Sequence, residues 1–302
     1  MLTQSDCSTD RDGRKNQRKE SAMSRLRVTL LFLILSLIVV PAHAEKPDKE
    51  ALTRQLMKMS GLEEQLNQIK QNVYANLNES KDNLPADLYE AMSQVIAEAY
   101  DGKTMQKIVS AGLSRDLSIK EMLDILSWLQ TGLGRKITGL EEAASTPEAF
   151  NGMQTFTRQL QTNPPDPHRF DLTQRLDHAT NATTMAVDIV LLTAYGVAAA
   201  MDTVMPEDEQ TDINIIREEI ESHRPELTPI LQQITLASFL YTFQTLRDEE
   251  IERYVEFCES DVGKRYNLVV GAAFMNALME ASEIMRAELI NVLNSLPSKK
   301  ST

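Results

Sequence analysis

Cysteine, histidine and short catalytic motifs are scarce in this sequence. Two cysteines and four histidines occur in 302 residues, and none of them has the spacing of a zinc site. A glycine-rich phosphate loop, a nucleophile-elbow serine and a Ser-x-x-Lys motif are also missing. We therefore expect no metal, no cofactor and no catalysis. An enzyme that uses Asp or Glu stays open, since acid pairs are recognised by spatial separation and not by sequence spacing.

The amino terminus has the features of an export signal. Two arginines precede or enter an apolar segment at 26–40, and a small-x-small site ends at Ala44. This order predicts a secretory signal peptide that is cleaved after Ala44, and therefore a periplasmic or secreted protein. The alternative is an uncleaved inner-membrane anchor at 26–40, which is shorter than the roughly twenty residues that span a bilayer. Translation starts at either Met1 or Met23.

Positive charge is in short supply. The chain has 31 Lys and Arg against 44 Asp and Glu, which gives a net charge of −13. Residues 1–44 hold seven basic and four acidic residues, so the mature chain has a net charge of −16. Such a surface repels nucleic acid and anionic lipid, which excludes both as general partners. Only Cys258 remains after cleavage, so no intramolecular disulfide forms, and its place on an apolar stripe favours a buried thiol.

The periodicity of the apolar residues is helical, and no alternating run long enough for a sheet occurs. Apolar residues at 122, 125, 126, 129, 133 and 137 have helical spacing, and those at 251, 254, 255, 258, 262 and 266 repeat it. We predict an all-α fold of about ten to twelve helices after the signal peptide. The predicted helix starts are Ser118 with Glu121, Ser60 with Glu63, Thr146-Pro147 and Thr228-Pro229.

Two segments 129 positions apart have the same pattern. A fixed offset without a gap indicates two copies of one structural unit. The first copy contains Leu117, Glu121, Met122, Leu126, Trp128, Thr131, Leu133, Gly134, Arg135 and Lys136. The second contains Leu246, Glu250, Ile251, Val255, Phe257, Ser260, Val262, Gly263, Lys264 and Arg265.

The repeat predicts two tandem helical-bundle units. Leu172 to Leu176 also resembles Leu52 to Leu56 at an offset of 120. The proline-rich segment at 163–170 ends the first set of helices, because proline removes a backbone donor. The predicted domains are an extension with signal peptide at 1–44, a first unit at 45–162, this linker, a second unit at 171–296 and a disordered tail at 297–302.

The second copy carries a recognisable order of residues. Acidic residues at 248–250 are followed by Tyr254 and Phe257, and then by Glu-Ser-Asp-Val-Gly-Lys-Arg at 259–265. This order resembles the signature of the DUF2059 domain, a helical domain of exported bacterial proteins without an assigned function. Residues 130–136 are similar, although Gly132 and Asp261 stand where the family has proline. The resemblance implies an exported helical bundle and brings no catalytic residues.

The shared motif predicts a structural corner. Thr131 and Ser260 are good N-caps that end one helix and open the next, and Gly134 and Gly263 permit close helix approach. Trp128 and Phe257 occupy the aromatic position before each corner. The basic pairs that follow are candidates for binding an anion or an acidic partner, or they pair with Glu141, Glu142 or other local acids. These basic residues are Arg135, Lys136, Lys264 and Arg265.

The segment 183–205 is apolar all round, apart from Asp188 and Asp202. Such a helix is buried, forms a dimer interface or lies in a membrane. A charged residue in lipid is costly, so we predict a buried helix or dimer face and no integral membrane span after cleavage. If the helix is buried, Asp188 needs a partner or titrates upward, which makes it a candidate binding residue.

These observations predict a binding protein and leave its ligand open. One hypothesis is a protein partner, or a second copy, that contacts an apolar patch near 183–205. The alternative is a carrier of a hydrophobic small molecule or lipid in a cavity lined by some of the fourteen methionines. The third hypothesis, an envelope enzyme, predicts Asp or Glu with perturbed pKa values in a pocket.

Overall fold

The computed structural model describes residues 48–295 except 80, 85, 204, 206 and 207, and every regular element in this part is helical. The prediction of an all-α fold is confirmed for these residues. The predicted signal peptide and the tail at 297–302 lie outside the described residues. The α-helices are α1 (Lys49–Met59), α2 (Leu62–Glu79), α3 (Ala86–Ala99), α4 (Gly102–Asp116), α5 (Ile119–Leu129), α6 (Gly132–Ala144), α7 (Pro147–Leu160), α8 (Pro167–Thr180), α9 (Ala182–Thr203), α10 (Ile213–Ser222), α11 (Arg224–Thr242), α12 (Asp248–Glu259) and α13 (Asp261–Ser295).

Two of the predicted helix starts are confirmed. Ser118 forms a full capping box: its Oγ accepts a hydrogen bond from the N–H of Glu121 at 3.2 Å, and the Glu121 carboxylate accepts one from the N–H of Ser118 at 2.7 Å. The hydroxyl of Thr146 caps α7 by accepting a hydrogen bond from the N–H of Ala149, and Pro147 is the first residue of that helix. Both signals lie within one turn of sequence, so they act without help from tertiary packing.

The other two predicted starts are wrong. Ser60 ends α1, because its N–H donates to the carbonyl of Leu56 at 3.0 Å and Gly61 follows with a left-handed φ of 73°. This is the usual way in which glycine ends a helix. The helix around Pro229 begins earlier, at Arg224, with a proline in its first turn. Thr228 instead donates its hydroxyl to the carbonyl of Arg224 at 2.8 Å.

Each of two hydrophobic cores contains a helix from the other half of the sequence. The first core is built from α1, α2, α4 and α5, together with Val269, Ala273 and Ala277 of α13. The second is built from α8, α12 and the end of α11, together with Leu133 and Ile137 of α6. The helices that follow the two motif corners are therefore exchanged between the cores.

The exchange ties the two halves into one body. A Cβ at Gly112 of α4 would lie only 2.7 Å from the Cβ of Ala273 of α13, so these helices pack through small residues. The described residues accordingly belong to one compact unit. The prolines at 163–170 separate α7 from α8, but the predicted units 45–162 and 171–296 do not pack as separate bodies.

Candidate functional site

Two helix corners with the same hydrogen bonds join α5 to α6 and α12 to α13. The Oγ1 of Thr131 accepts a hydrogen bond from the N–H of Gly134 at 2.9 Å. The Oγ of Ser260 accepts one from the N–H of Gly263 at 3.1 Å. Each hydroxyl also donates to the carbonyl oxygen three residues earlier, at 2.8 and 2.6 Å. The two corners are therefore built alike.

The glycines of the corners are required by close backbone contacts. A Cβ at Gly134 would collide with the carbonyl oxygen of Trp128, and a Cβ at Gly263 would collide with that of Phe257. In each case the colliding atom belongs to the backbone of the preceding helix, which cannot move aside as a flexible side chain would. Both glycines thus allow a sharp turn between consecutive helices.

The corners meet through their aromatic residues. The rings of Trp128 and Phe257 are stacked, with centroids 4.6 Å apart and planes 7° apart. Tyr254 lies on the same stack, 6.4 Å from the tryptophan ring. Because positions 128 and 257 correspond at the offset of 129, the same position of each segment contacts its counterpart.

Two of the four candidate cations join the halves by ion pairs. Lys136 Nζ lies 2.9 Å from a carboxylate oxygen of Glu250, and Arg265 Nε lies 3.9 Å from one of Glu121. Lys136 corresponds to Arg265, and Glu121 corresponds to Glu250, so the two pairs are reciprocal. A backbone hydrogen bond from Arg247, and then Lys136, lower the pKa of Glu250 to about 2. The acids that these cations meet are far away in sequence, and not the local Glu141 and Glu142 that were expected.

The other two candidate cations lie on the surface. Arg135 donates to the carbonyl of Gln130. Lys264 lines an open cleft of about 750 Å³ with Arg175 and Glu259, which pair at 2.8 Å. The four cations are therefore dispersed, and the structure does not gather them into one anion site.

Asp188 is not the buried carboxylate that the sequence suggested. Its side chain keeps 37% of its surface exposed, and its Oδ1 lies 2.8 Å from a guanidinium nitrogen of Arg224. Arg224 is the first residue of α11 and is partly exposed as well. Asp188 therefore links α9 to α11 at the surface.

The helix predicted to be a buried helix or a dimer face is buried on one side only. One face of α9 is buried through Thr183, Val187 and Leu191, whereas Val190 and Val197 are exposed. By length and composition α9 and α13 are apolar enough to cross a membrane, but core helices of soluble proteins have the same properties. Here α9 packs on α10, α11 and α13, and its side chains Val190 and Val197 stay exposed.

Seven exposed large apolar side chains lie between residues 190 and 234, on α9, α10 and α11 and at Met205 between α9 and α10. We call this set the α9–α11 surface; its members keep 39 to 59% of their surface exposed. The three helices contact one another. An exposed group of this kind marks an interaction site more often than scattered single residues do. The members are Val190, Val197, Met205, Ile213, Ile215, Ile230 and Ile234.

A second candidate site is a cleft of about 390 Å³ around Glu141, which we call the Glu141 cleft. Among the described residues that line it, Glu141 is the only one with a charged side chain. Its Oε1 accepts a hydrogen bond from the hydroxyl of Tyr254 at 2.8 Å. Apolar and aromatic residues form much of the wall. They include Met185, Phe239, Phe243, Tyr266 and Val270.

Burial shifts the pKa values of the groups around the Glu141 cleft. Burial raises the pKa of Glu141 to about 7. The hydrogen bond from Tyr254 lowers this pKa, and the negative charge of Glu142 raises it. Burial also raises the pKa of Tyr254 and of Tyr266, and it raises the pKa of Cys258 to about 12. The cysteine is thus a buried, un-ionised thiol without nucleophilic character at neutral pH.

The signal for Glu141 in the sequence is its place on an apolar stripe, and not a short motif. Glu141 follows Leu133 and Ile137 at spacings of four, so an acid occupies the apolar stripe of α6. Its counterpart at the offset of 129 is Val270, which lines the same cleft. The first copy thus has an acid where the second copy has an apolar residue, and this difference indicates a candidate functional residue.

The carrier hypothesis predicts a cavity lined by methionines, and four clefts of the described residues can be compared with it. Four open clefts with volumes of about 390 to 750 Å³ each have at most one methionine in their lining. In the same part of the chain, no group of three or more His, Cys, Asp or Glu could hold a metal ion. Comparison with protein-family models, curated proteins and solved structures gave no match.

Proposed function

We propose that this chain is an exported envelope protein that binds another protein through the α9–α11 surface and catalyses no reaction. The observation that carries the proposal is the concentration of exposed large apolar side chains on three adjoining helices. Large apolar side chains that are exposed together cost free energy in water, and a partner that covers them recovers it. Export is supported by the signal-peptide pattern that ends at Ala44.

The charge around this surface favours a basic partner over a second copy. Residues 202–226 contain nine acidic and two basic residues. Two copies that met face to face would bring these like charges together, which is unfavourable. A partner whose apolar contact residues are surrounded by Lys and Arg would complement both the apolar centre and the acidic edge.

The two-unit organisation and the DUF2059 resemblance belong to this proposal. They are supported by the equal hydrogen bonds of the two corners and by the reciprocal ion pairs across the halves. Gly61 and Asn181, which have left-handed φ angles of 73° and 55°, also correspond at the offset of 120. In this proposal one ancestral unit was duplicated, and the α9–α11 surface developed in the second copy.

The test is native mass spectrometry of the tagged chain from its own host. We expect a mature mass that begins at Glu45 and a stoichiometric complex with an identified basic protein. The double variant Ile230→Ser with Ile234→Ser should lose that complex, whereas Leu123→Ser, at another exposed apolar residue on α5, should keep it. Binding to the purified partner should also weaken with added salt.

Three outcomes would overturn the proposal. A monomer without a partner would contradict binding, and a complex that survives in the double variant would place the interface elsewhere. A homodimer that dissociates in the double variant would replace the basic partner by a second copy.

A further inference from the structure

The two halves of the sequence contribute chemically different residues to the lining of the Glu141 cleft. Four pairs of positions that correspond at the offsets of 120 and 129 line it. Three of these pairs have a polar residue in the first half, and two of those three have an apolar residue in the second half. The pairs are Ser60 and Thr180, Leu62 and Ala182, Gln65 and Met185, and Glu141 and Val270. A ligand in the cleft would therefore meet a charged group from the first half and apolar side chains from the second half.

The carboxyl group of Glu141 has no cationic neighbour in the cleft. No Lys, Arg or His is among the described residues that line it. The hydroxyl of Tyr254 supplies one hydrogen bond at 2.8 Å, whereas an ionised carboxylate can accept several. An ionised carboxylate that is partly buried without a counter-ion is unfavourable, and a bound cation would remove that cost.

Aromatic rings line the side of the cleft next to this carboxyl group. Phe243 lies edge-on to Tyr254, with ring centroids 5.7 Å apart, and Phe239 lies 6.0 Å from Phe243. Aromatic faces attract organic cations and also provide apolar contact area. The volume of about 390 Å³ lies within the range of roughly 300 to 1,000 Å³ that is typical of small-molecule sites.

We propose that the Glu141 cleft binds an organic cation, with its ammonium group at Glu141 and its apolar body against Met185, Phe239 and Val270. The net charge of −13 concentrates cations near the protein and acts in the same direction. This site involves none of the side chains of the α9–α11 surface. The proposal of a cation site is therefore independent of the proposal of a protein partner.

Calorimetric titration of the purified full chain with hexyltrimethylammonium tests the site, with hexanol as the uncharged probe of the same chain length. We expect the cation to bind at least about tenfold more tightly than the alcohol. Glu141→Gln should reduce the affinity for the cation about tenfold or more and leave that for hexanol unchanged. Glu142→Gln removes a neighbouring charge whose side chain does not line the cleft, and it should change either affinity by less than about threefold.

The pH dependence of the unmodified chain provides a test that needs no variant. Burial raises the pKa of Glu141 to about 7, and the probe has a permanent charge. The titratable groups near Glu141 are Glu142 on α6, Tyr254 and Cys258 on α12 and Tyr266 on α13. Burial raises the pKa values of the two phenols and the thiol, so these three groups stay un-ionised near neutral pH. Affinity should therefore rise with pH up to about 7 and level off above it, and the total rise should match the loss of affinity in Glu141→Gln.

Three results would overturn the site. The first is equal binding of the cation and the alcohol. The second is an affinity for the cation that does not change with pH or in Glu141→Gln. The third is no binding of the cation at millimolar concentration. Loss of the protein partner in the test of the α9–α11 surface would have no bearing on these measurements.

Discussion

At the scale of single residues, the corner glycines are the most constrained positions. We expect Gly263→Ala to reduce the free energy of unfolding by about 1 to 3 kcal/mol, because the added Cβ collides with a backbone carbonyl. Gly139→Ala is the matched control: it lies inside α6 with nothing near its Cβ position, and alanine there should stabilise by about 0.5 to 1 kcal/mol. Urea denaturation followed by circular dichroism measures both changes, and equal effects of the two substitutions would contradict the collision.

The titration of Glu141 predicts a second effect at this scale. Its pKa is raised from 4.5 to about 7 in the folded protein, so the folded state binds this proton more tightly than the unfolded state does. Stability from this group is therefore present below about pH 4.5, falls as the pH rises and levels off above about 7. At pH 8 Glu141→Gln should be about 2 to 3 kcal/mol more stable than the unmodified protein.

The pH-dependent difference between the two proteins is the measurement, since it removes the contribution of all other groups. Glu218→Gln on α10 is the control, because that carboxyl group is exposed. A constant difference between pH 4 and pH 8 would show that Glu141 titrates as an exposed acid.

At the scale of elements, α10 is a short helix of the second half that has little packing to stabilise it. It has ten residues and none of them is buried. Isolated helices shorter than about 12 to 15 residues are marginal in water, so α10 depends on the little packing that it has. We expect its amide protons to exchange with deuterium much faster than those of α5, a helix of eleven residues with four buried side chains.

Hydrogen exchange followed by mass spectrometry checks this expectation. Binding of the proposed partner should slow exchange in α10, and exchange in α5 serves as the internal reference. Slow exchange in the free α10 would contradict its assignment as a surface helix.

Helix starts show which local features the sequence predicts and which it does not. Ser118 and Thr146 act through hydrogen bonds within one turn, so their patterns were sufficient. Ser60 fits the same pattern, but Gly61 reverses the chain direction directly after it and makes Ser60 a helix end. Thr228 was misjudged because Pro225 already occupies the first turn of the longer α11.

The candidate sites were harder to predict than the helices. The apolar character of α9 was evident, but which of its faces is covered depends on α11 and α13, which are distant in sequence. The Glu141 cleft combines residues from α2, α6, α8, α9, α11, α12 and α13, and no spacing brings these together. The sequence by itself shows only that an acid lies on the apolar stripe of α6. Alignment of the two copies of the repeat shows that this acid is unusual, because the second copy has an apolar residue at the same position.

At the scale of the whole molecule, the exchange of α6 and α13 predicts that neither half folds alone. Fragment 45–162 lacks the part of its core supplied by Ala273 and Ala277, and fragment 171–296 lacks Leu133 and Ile137. We expect each purified fragment to show weak helical circular dichroism and the mixture to recover the signal of the intact chain. Two folded fragments that do not associate would contradict a shared core.

The single tryptophan gives an independent measurement of the same property. Trp128 stacks on Phe257 of the other half, so its fluorescence reports on the contact between the halves. Unfolding of the intact chain should give one transition, at the same urea concentration by fluorescence and by circular dichroism. A fluorescence change that precedes the loss of helix would show that the halves separate before they unfold.

The position of α13 after the other described helices in the sequence also bears on the proposed export of the chain. When the ribosome has synthesised α1 to α5, the first core still lacks the residues that α13 contributes to it. A chain that is threaded through a membrane must stay unfolded until it emerges, and early completion of an amino-terminal domain would block its passage. For the proposed exported chain we therefore expect that the first core stays incomplete until α13 has been synthesised, so that folding is delayed and the chain stays competent for translocation.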